Sequence, residues 1–173
     1  MNKSQGYTIR SARSEDLAAM IRVWEEAFGD REEAVRFFDV FFSPETCLVL
    51  ESDDAVRAIA HVVLGAELSA GGETLACPYL YAVAVDSRYR GLGYGKAICE
   101  YAVAHARALG YRVVATCPAD DPLVGFYRSL GFTREERLGD GFRPSAFMVQ
   151  TLSFLPRVLV WHARRESNPR PTA

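Results

Sequence analysis

Arg90-Gly91-Leu92-Gly93-Tyr94-Gly95-Lys96 sets three alternating glycines where an apolar run, Tyr79 to Val85, meets a helical stretch from about Gly93 to Leu109. Such a loop turns backbone N–H groups and a helix N-terminus toward one point, and the missing side chains let phosphate oxygens come close. The chemistry it serves is binding of a diphosphate. The candidate binding residues are therefore Arg88, Arg90, Gly91, Leu92, Gly93, Tyr94, Gly95 and Lys96; the two arginines could equally be solvated charges, and at least one is expected to offset ligand charge. Two well-known phosphate loops fail on spacing. A Gly-x-x-x-x-Gly-Lys-Ser/Thr loop would need glycine where Arg90 stands and a hydroxyl where Ala97 stands. A Gly-x-Gly-x-x-Gly fingerprint counted from Gly91 meets Lys96 at its last glycine.

The elements around this loop follow from residue periodicity. Tyr7 to Arg10 reads as a strand, and Ser14 is expected to cap a helix whose stripe is Leu17, Met20, Ile21, Trp24, Ala27 and Phe28, ended by Gly29. Asp30 and Glu33 form a capping pair for a second helix, with Ala34, Phe37, Phe38 and Phe41 on one side and Ser43-Pro44 beyond its end. Thr46 to Glu51 and Ala55 to Leu64 flank Ser52-Asp53-Asp54 as a hairpin, and Gly71-Gly72 marks a further turn. Tyr79 to Val85, the long helix and Tyr111 to Thr116 make one βαβ unit. Asp121 as cap with Pro122 behind it and Gly131 as stop bracket a short helix, and Phe132 to Leu138 and Ser145 to Leu152 close the chain as strands. The expected order is β-α-α-β-β-β-α-β-α-β-β: an α/β domain with a mixed central sheet of about seven strands and helices on both faces.

Composition narrows the class. The chain has 173 residues, 49% hydrophobic and 24% charged, which suits one soluble domain with a substantial core. Twenty basic residues against 22 acidic leave a net charge of -2, so a nucleic-acid partner is not expected. No apolar stretch has membrane-spanning length and the opening residues lack a secretory signal, so no membrane partner and a cytoplasmic location are expected. Cys47, Cys77, Cys99 and Cys117 have neither zinc-site spacing nor the density of a disulfide scaffold, and are expected to be buried small hydrophobes; no metal is expected.

Arg88-x-x-Gly91-x-Gly93 resembles the coenzyme A loop, Arg/Gln-x-x-Gly-x-Gly/Ala, of the GCN5-related N-acetyltransferase family. Tyr81-Ala82-Val83-Ala84-Val85 and Phe126-Tyr127-Arg128-Ser129-Leu130-Gly131-Phe132 look like that family's flanking segments, and the element order agrees from Tyr7 to about Leu152. Cys117-Pro118-Ala119-Asp120-Asp121-Pro122, with Asp120 where the family often has asparagine, looks somewhat like the Eis-type branch. The resemblance implies acetyl-CoA as co-substrate and a primary amine of a small molecule or protein as acceptor. It implies that the main chain at Val83 and Val85 pairs with the pantetheine arm where two parallel strands splay, although both valines also suit a strand core. It implies that Tyr127 stands beside the thioester sulfur, against the plainer reading of Tyr127 as a core aromatic next to Phe126.

The resemblance implies a general base on the strand at Tyr79 to Val85, where some members of that family place a glutamate, and this strand has no acid. Tyr79 to Val85 offers only Tyr79 and Tyr81; the remaining candidates are Glu73, His61 and an ordered water, and Glu73 and His61 read more simply as a turn charge and a hydrogen-bonded strand histidine. This gap leaves an alternative open, a catalytically silent acyl-CoA-binding sensor or assembly domain. The resemblance implies that the acceptor reaches the thioester from the side of the two early helices, where residues 1 to 60 hold 12 acids against 7 basic residues; that balance favours a cationic amine or is simply a solvated helix face. The domain is expected over 7–155. Residues 156–173, rich in proline and arginine without period, are expected to be a disordered or non-native tail. Nothing in the sequence decides whether the chain works alone or as a homodimer.

Overall fold

In a computed structural model of the chain, residues 6–70, 73–137 and 146–151 are described. The elements in order are β1 (Thr8–Ser11), α1 (Leu17–Phe28), α2 (Arg31–Phe41), β2 (Cys47–Ser52), β3 (Ala55–Val63), β4 (Glu67–Ala70), β5 (Glu73–Ala76), β6 (Tyr79–Val85), α3 (Tyr94–Ala108), β7 (Val113–Thr116), α4 (Asp121–Ser129), β8 (Arg134–Arg137) and β9 (Ala146–Thr151). Five strands, β1-β2-β3-β6-β7, form the body of a mixed sheet, which β9 and then β8 extend beyond β7 to seven strands. Only β6 and β7 run parallel; every other neighbouring pair is antiparallel.

The expected element order needs correction. Five strands, not three, lie between α2 and α3, because Glu67–Ala70 and Glu73–Ala76 pair as a separate two-stranded ribbon. The segments, Glu-Leu-Ser-Ala and Glu-Thr-Leu-Ala, are four residues long, too short to show a clear alternation, so the sequence marked only the turn between them. The Gly71-Gly72 turn between them and the tail at 156–173 lie outside the described residues.

Helix ends show how local chemistry sets the elements. Asp30 caps α2, its side chain accepting from Glu33 N–H at 2.8 Å, as the capping pair implies. Ser14 does not cap α1: a 3-10 turn, Ser14–Asp16, comes first, and the Asp16 carboxylate accepts from Arg13 N–H at 2.7 Å while holding Arg10. The α4 cap is Asp120, one residue earlier than expected. Asp120 has the extended backbone a cap requires, and its carboxylate accepts from Leu123 N–H at 3.0 Å, which moves Pro122 to the second helical position.

The sheet separates two cores. On one face α1 and α2 bury Met20, Val23, Trp24, Ala34 and Phe38 against Val49, Ile59, Ala82 and Ala84. On the other, α3 and α4 bury Tyr94, Ile98, Ala102, Ala106 and Tyr127 against Leu48, Leu50, Ala60, Leu80 and Phe132. Cys47, Cys77 and Cys99 are buried as expected, whereas Cys117, in the segment after β7, is half-buried. Among the described residues no helix is long and apolar enough to cross a membrane.

Candidate active site

The glycine loop joins β6 to α3 through Asp86, a 3-10 turn at Ser87–Tyr89, Arg90 and the pair Gly91 and Gly93. Both glycines have positive φ, +78° and +85°, a region that L side chains rarely adopt. A Cβ on either would meet no protein atom within 4 Å, so the loop's outer side is open space. The first intrahelical bond of α3 runs from Ala97 N–H to the Gly93 carbonyl at 3.0 Å, and the N–H groups of the preceding first-turn residues point out of the helix end. No acid stands in that turn. This set of donors, dipole and empty space fits a diphosphate.

The side chains of the expected binding residues divide. Leu92 and Lys96 are exposed, Lys96 lying 3.8 Å from Glu100 on the same helix. Tyr94 is buried in the α3 core, with its hydroxyl donating to Ser52 Oγ at 3.1 Å, so only its main chain can serve the loop. Gly95 has helical backbone, and a Cβ there would stand 3.5 Å from Val85 Cγ2, an ordinary contact distance. Arg90 Nε donates to the Val85 carbonyl at 3.2 Å. Arg88 turns back from the loop's open side: its Nε and Nη2 donate to Asp86 at 3.1 and 2.9 Å.

Asp86 is the residue that sequence reasoning passed over. Its side chain is fully buried and also takes Arg22 from α1 at 3.1 Å, with Arg57 from β3 at 3.9 Å. Its carboxylate further accepts from Arg88 N–H at 3.1 Å, and so sets the turn that leads into the glycines. These guanidinium partners, Arg88 first, outweigh burial and pull the Asp86 pKa down to about 2. The available signal was an acid at the end of a strand with arginines around it; the partners at 22 and 57 are too distant in sequence to pair by inspection.

Below the loop the sheet forks. β6 and β7 are matched only at Tyr79 with Ala115 and Leu80 with Thr116, and β6 then continues through Val85 without a β7 partner. On its other edge β6 pairs with β3, and the register slips between His61 and Val62, which leaves Tyr81 as a bulged residue. Asp86 N–H donates to the Arg57 carbonyl on the β3 side. By the alternation of an antiparallel ladder, the main-chain groups of Val85 and Val83 therefore face the open fork. Their side chains pack against the α3 core.

Tyr127 stands at the base of the fork. It is 7% exposed and packs edge-on against Phe126 and Phe132, with ring centroids 5.1 and 5.6 Å away. Burial drives its hydroxyl pKa well above the ordinary phenol value, the nearby Cys99 and Cys117 thiols add to the rise, and a hydrogen bond with Thr116 opposes it. Thr116 in turn donates to the Leu80 carbonyl at 3.1 Å, where the two strands are still paired. Tyr127 is thus a core aromatic by packing, with its hydroxyl at the last paired residues of the parallel strands.

His61 Nε2 lies 3.3 Å from the Phe41 carbonyl, which can only accept, so Nε2 carries the hydrogen. Burial lowers the His61 pKa and keeps the ring neutral. Among the described residues no group of three histidines, cysteines or acids is arranged to hold a metal.

A family described as the acetyltransferase (GNAT) domain matches residues 8–134. Among solved structures, a GNAT family acetyltransferase from Brucella melitensis in complex with acetyl-CoA aligns with a TM-score of 0.63 and 21% identity, over 92% of this chain and 97% of that one. The ribosomal-protein-S18-alanine N-acetyltransferase from Escherichia coli aligns with a TM-score of 0.66 and 20% identity, over 90% and 100%. A GCN5-related N-acetyltransferase from Kribbella flavida aligns with a TM-score of 0.63 and 26% identity over 73% of this chain; the aligned part is 32% of that longer protein. No curated protein matches in sequence. None of these likenesses supports the Eis-type branch. The match covers the glycine loop, the fork and Tyr127 alike, and the chain belongs to the GNAT acetyltransferase family.

Proposed function

We propose that this chain is an acetyl-CoA-dependent N-acetyltransferase whose acceptor is a primary amine. The fork carries the reading: β6 leaves β7 after two residue pairs, with the glycine loop at one end of the gap and the Tyr127 hydroxyl at the other. The residues fit the co-substrate. The first turn of α3 and the open side of Gly91 and Gly93 would take the pyrophosphate, and the main chain of Val83 and Val85 would pair with the pantetheine amides. Acetyl-CoA supplies the activated acyl group when bound.

The protein's part is positioning and charge stabilisation. Tyr127 stays protonated across the working pH range because burial raises its pKa. It therefore acts as a donor toward sulfur as negative charge builds there, not as a base. Full proton transfer from an ordinary phenol of pKa ~10 to a thiolate of pKa ~8.5 is already uphill by roughly 2 kcal/mol, and burial of the phenol increases that gap. The amine must lose its own proton: at pKa ~10.4 only about 1 part in 2500 is neutral at pH 7. β6 carries no carboxylate for that task.

That last observation favours a second reading, a silent acyl-CoA-binding domain. Calorimetry with acetyl-CoA, followed by thiol release in the presence of amines, separates the two. Binding with amine-dependent release supports the transferase; binding without release from any amine supports the silent domain; no binding sinks both.

A further inference from the structure

The face of β6 toward the early helices holds a ring cluster that the coenzyme groove does not use. Phe37 of α2 stacks on both Trp24 of α1 and Tyr81 of β6, and these two rings also approach each other at 6.5 Å, so the three form a triangle. Centroids are 4.8 Å apart at 30° for Trp24 and Phe37, and 5.3 Å apart at 14° for Phe37 and Tyr81. His61 closes edge-on against Phe37 at 4.9 Å, and Phe41 tilts onto Phe37 at 5.1 Å. This is not a sealed core. Tyr81 is 42% exposed, Phe41 38% and Phe28 49%, so aromatic surface on α1, α2 and β6 faces solvent together.

Three further observations say what this wall would hold. Tyr81 is the bulged residue of β6, two positions from Val83, so the wall meets the open fork at one residue. Among the described residues, the two buried side-chain nitrogens without a hydrogen-bond partner, Trp24 Nε1 and His61 Nδ1, both belong to the cluster. One is a donor and the other, given the Nε2–H tautomer, an acceptor, so the cluster contains polar capacity that these residues leave unused. Of the glutamates on the helices beside it, Glu25, Glu26 and Glu32 are paired with Arg31, Arg22 and Arg36, and Glu33 of α2 is the one whose charge acts on the Tyr81 hydroxyl.

We infer that the wall is the acceptor subsite, and that the acceptor is a primary amine carried on a flat aromatic ring. This deepens the transferase reading and rests on it for the word acceptor. A ring can stack on the exposed side of Tyr81, and a protonated amine near it is held by ring faces and by Glu33. An aliphatic polyamine satisfies the charge and leaves the exposed rings wet. A peptide amine has no side chain that must reach the rings.

Calorimetry on the full chain with coenzyme A present, using 2-phenylethylamine and n-butylamine as probes, tests the wall without requiring turnover. The expected result is binding of 2-phenylethylamine at least about fivefold tighter, in line with one stacked ring pair. Tyr81→Leu should remove that advantage; Tyr81 is exposed, and acetyl-CoA affinity and the melting temperature should stay as in the wild type. Thiol release from acetyl-CoA should rank the amines in the same order, with spermidine below 2-phenylethylamine. Equal affinity for the two probes, or an advantage that survives Tyr81→Leu, overturns the inference. Ring-selective binding without thiol release from any amine keeps the wall and removes the transferase reading.

Discussion

Replacing Asp86 with asparagine should destabilise the domain in a way that depends on pH. In the wild type one buried carboxylate faces Arg88, Arg22 and Arg57, and its pKa is held at about 2 against an ordinary 3.8. A difference of nearly two pH units, at 1.36 kcal/mol each, amounts to about 2.5 kcal/mol of folding free energy at neutral pH. Asparagine keeps one acceptor oxygen but removes the charge and turns an amide toward guanidinium donors. At this chain length the loss should lower Tm by about 5–10 °C at pH 7. The sign follows from linkage. The folded pKa is depressed, so the contribution is complete above the unfolded pKa and is lost as pH falls toward 2; about half remains at pH 3. Urea unfolding of both proteins at pH 7, 5 and 3 measures the gap. It should be equal at pH 7 and 5 and clearly narrower at pH 3. A gap under about 1 kcal/mol at pH 7, or one that does not change with pH, would refute the view of Asp86 as the ionised anchor of the loop.

Gly95→Ala should leave stability unchanged or slightly raised, since Gly95 is helical with room for a Cβ, yet should weaken acetyl-CoA binding if the helix end cradles phosphate; unchanged affinity in calorimetry would remove that assignment. Gly93→Val should weaken binding and also cost about 1–2 kcal/mol of stability through its positive φ, visible as a lower urea midpoint. Tyr127→Phe should lower kcat and kcat/KM together by about 10²- to 10³-fold with acetyl-CoA affinity intact; full turnover in a destabilised fold would leave the tyrosine as packing alone. The folded His61 pKa lies below 6.5, so its contribution is complete above pH 6.5 and lost as pH falls; His61→Gln should flatten the wild-type fall in Tm below that pH.

What the sequence made legible follows the strength of its patterns. The long apolar stripes of α1, α2 and α3 and the Asp53-Asp54 turn were readable from spacing, the latter because two aspartates tolerate the positive φ, 50° and 54°, that the hairpin needs. The shape of the glycine loop was readable because the positive φ of Gly91 and Gly93, 78° and 85°, suits residues that lack a side chain. That the Tyr94 side chain is core was hidden by its place in the loop, although it starts the series Tyr94, Ile98, Ala102, Ala106, a four-residue period that buries it. The Asp86 cluster and the ring cluster were not legible, because each joins residues from α1, the sheet and a third element that only folding brings together.

The fork also makes the two halves of the sheet mechanically unequal partners. Strands β1, β2, β3 and β6 are laddered along most of their lengths, as are β7, β9 and β8, yet only two residue pairs join one group to the other. A ligand arm that hydrogen-bonds along β6 would act as the missing strand at that seam, so occupancy and cohesion rise together. At a concentration a hundredfold above its Kd, such a ligand adds about 2.7 kcal/mol to folding stability. Were acyl-CoA that ligand, its removal would leave the seam held by those two pairs alone.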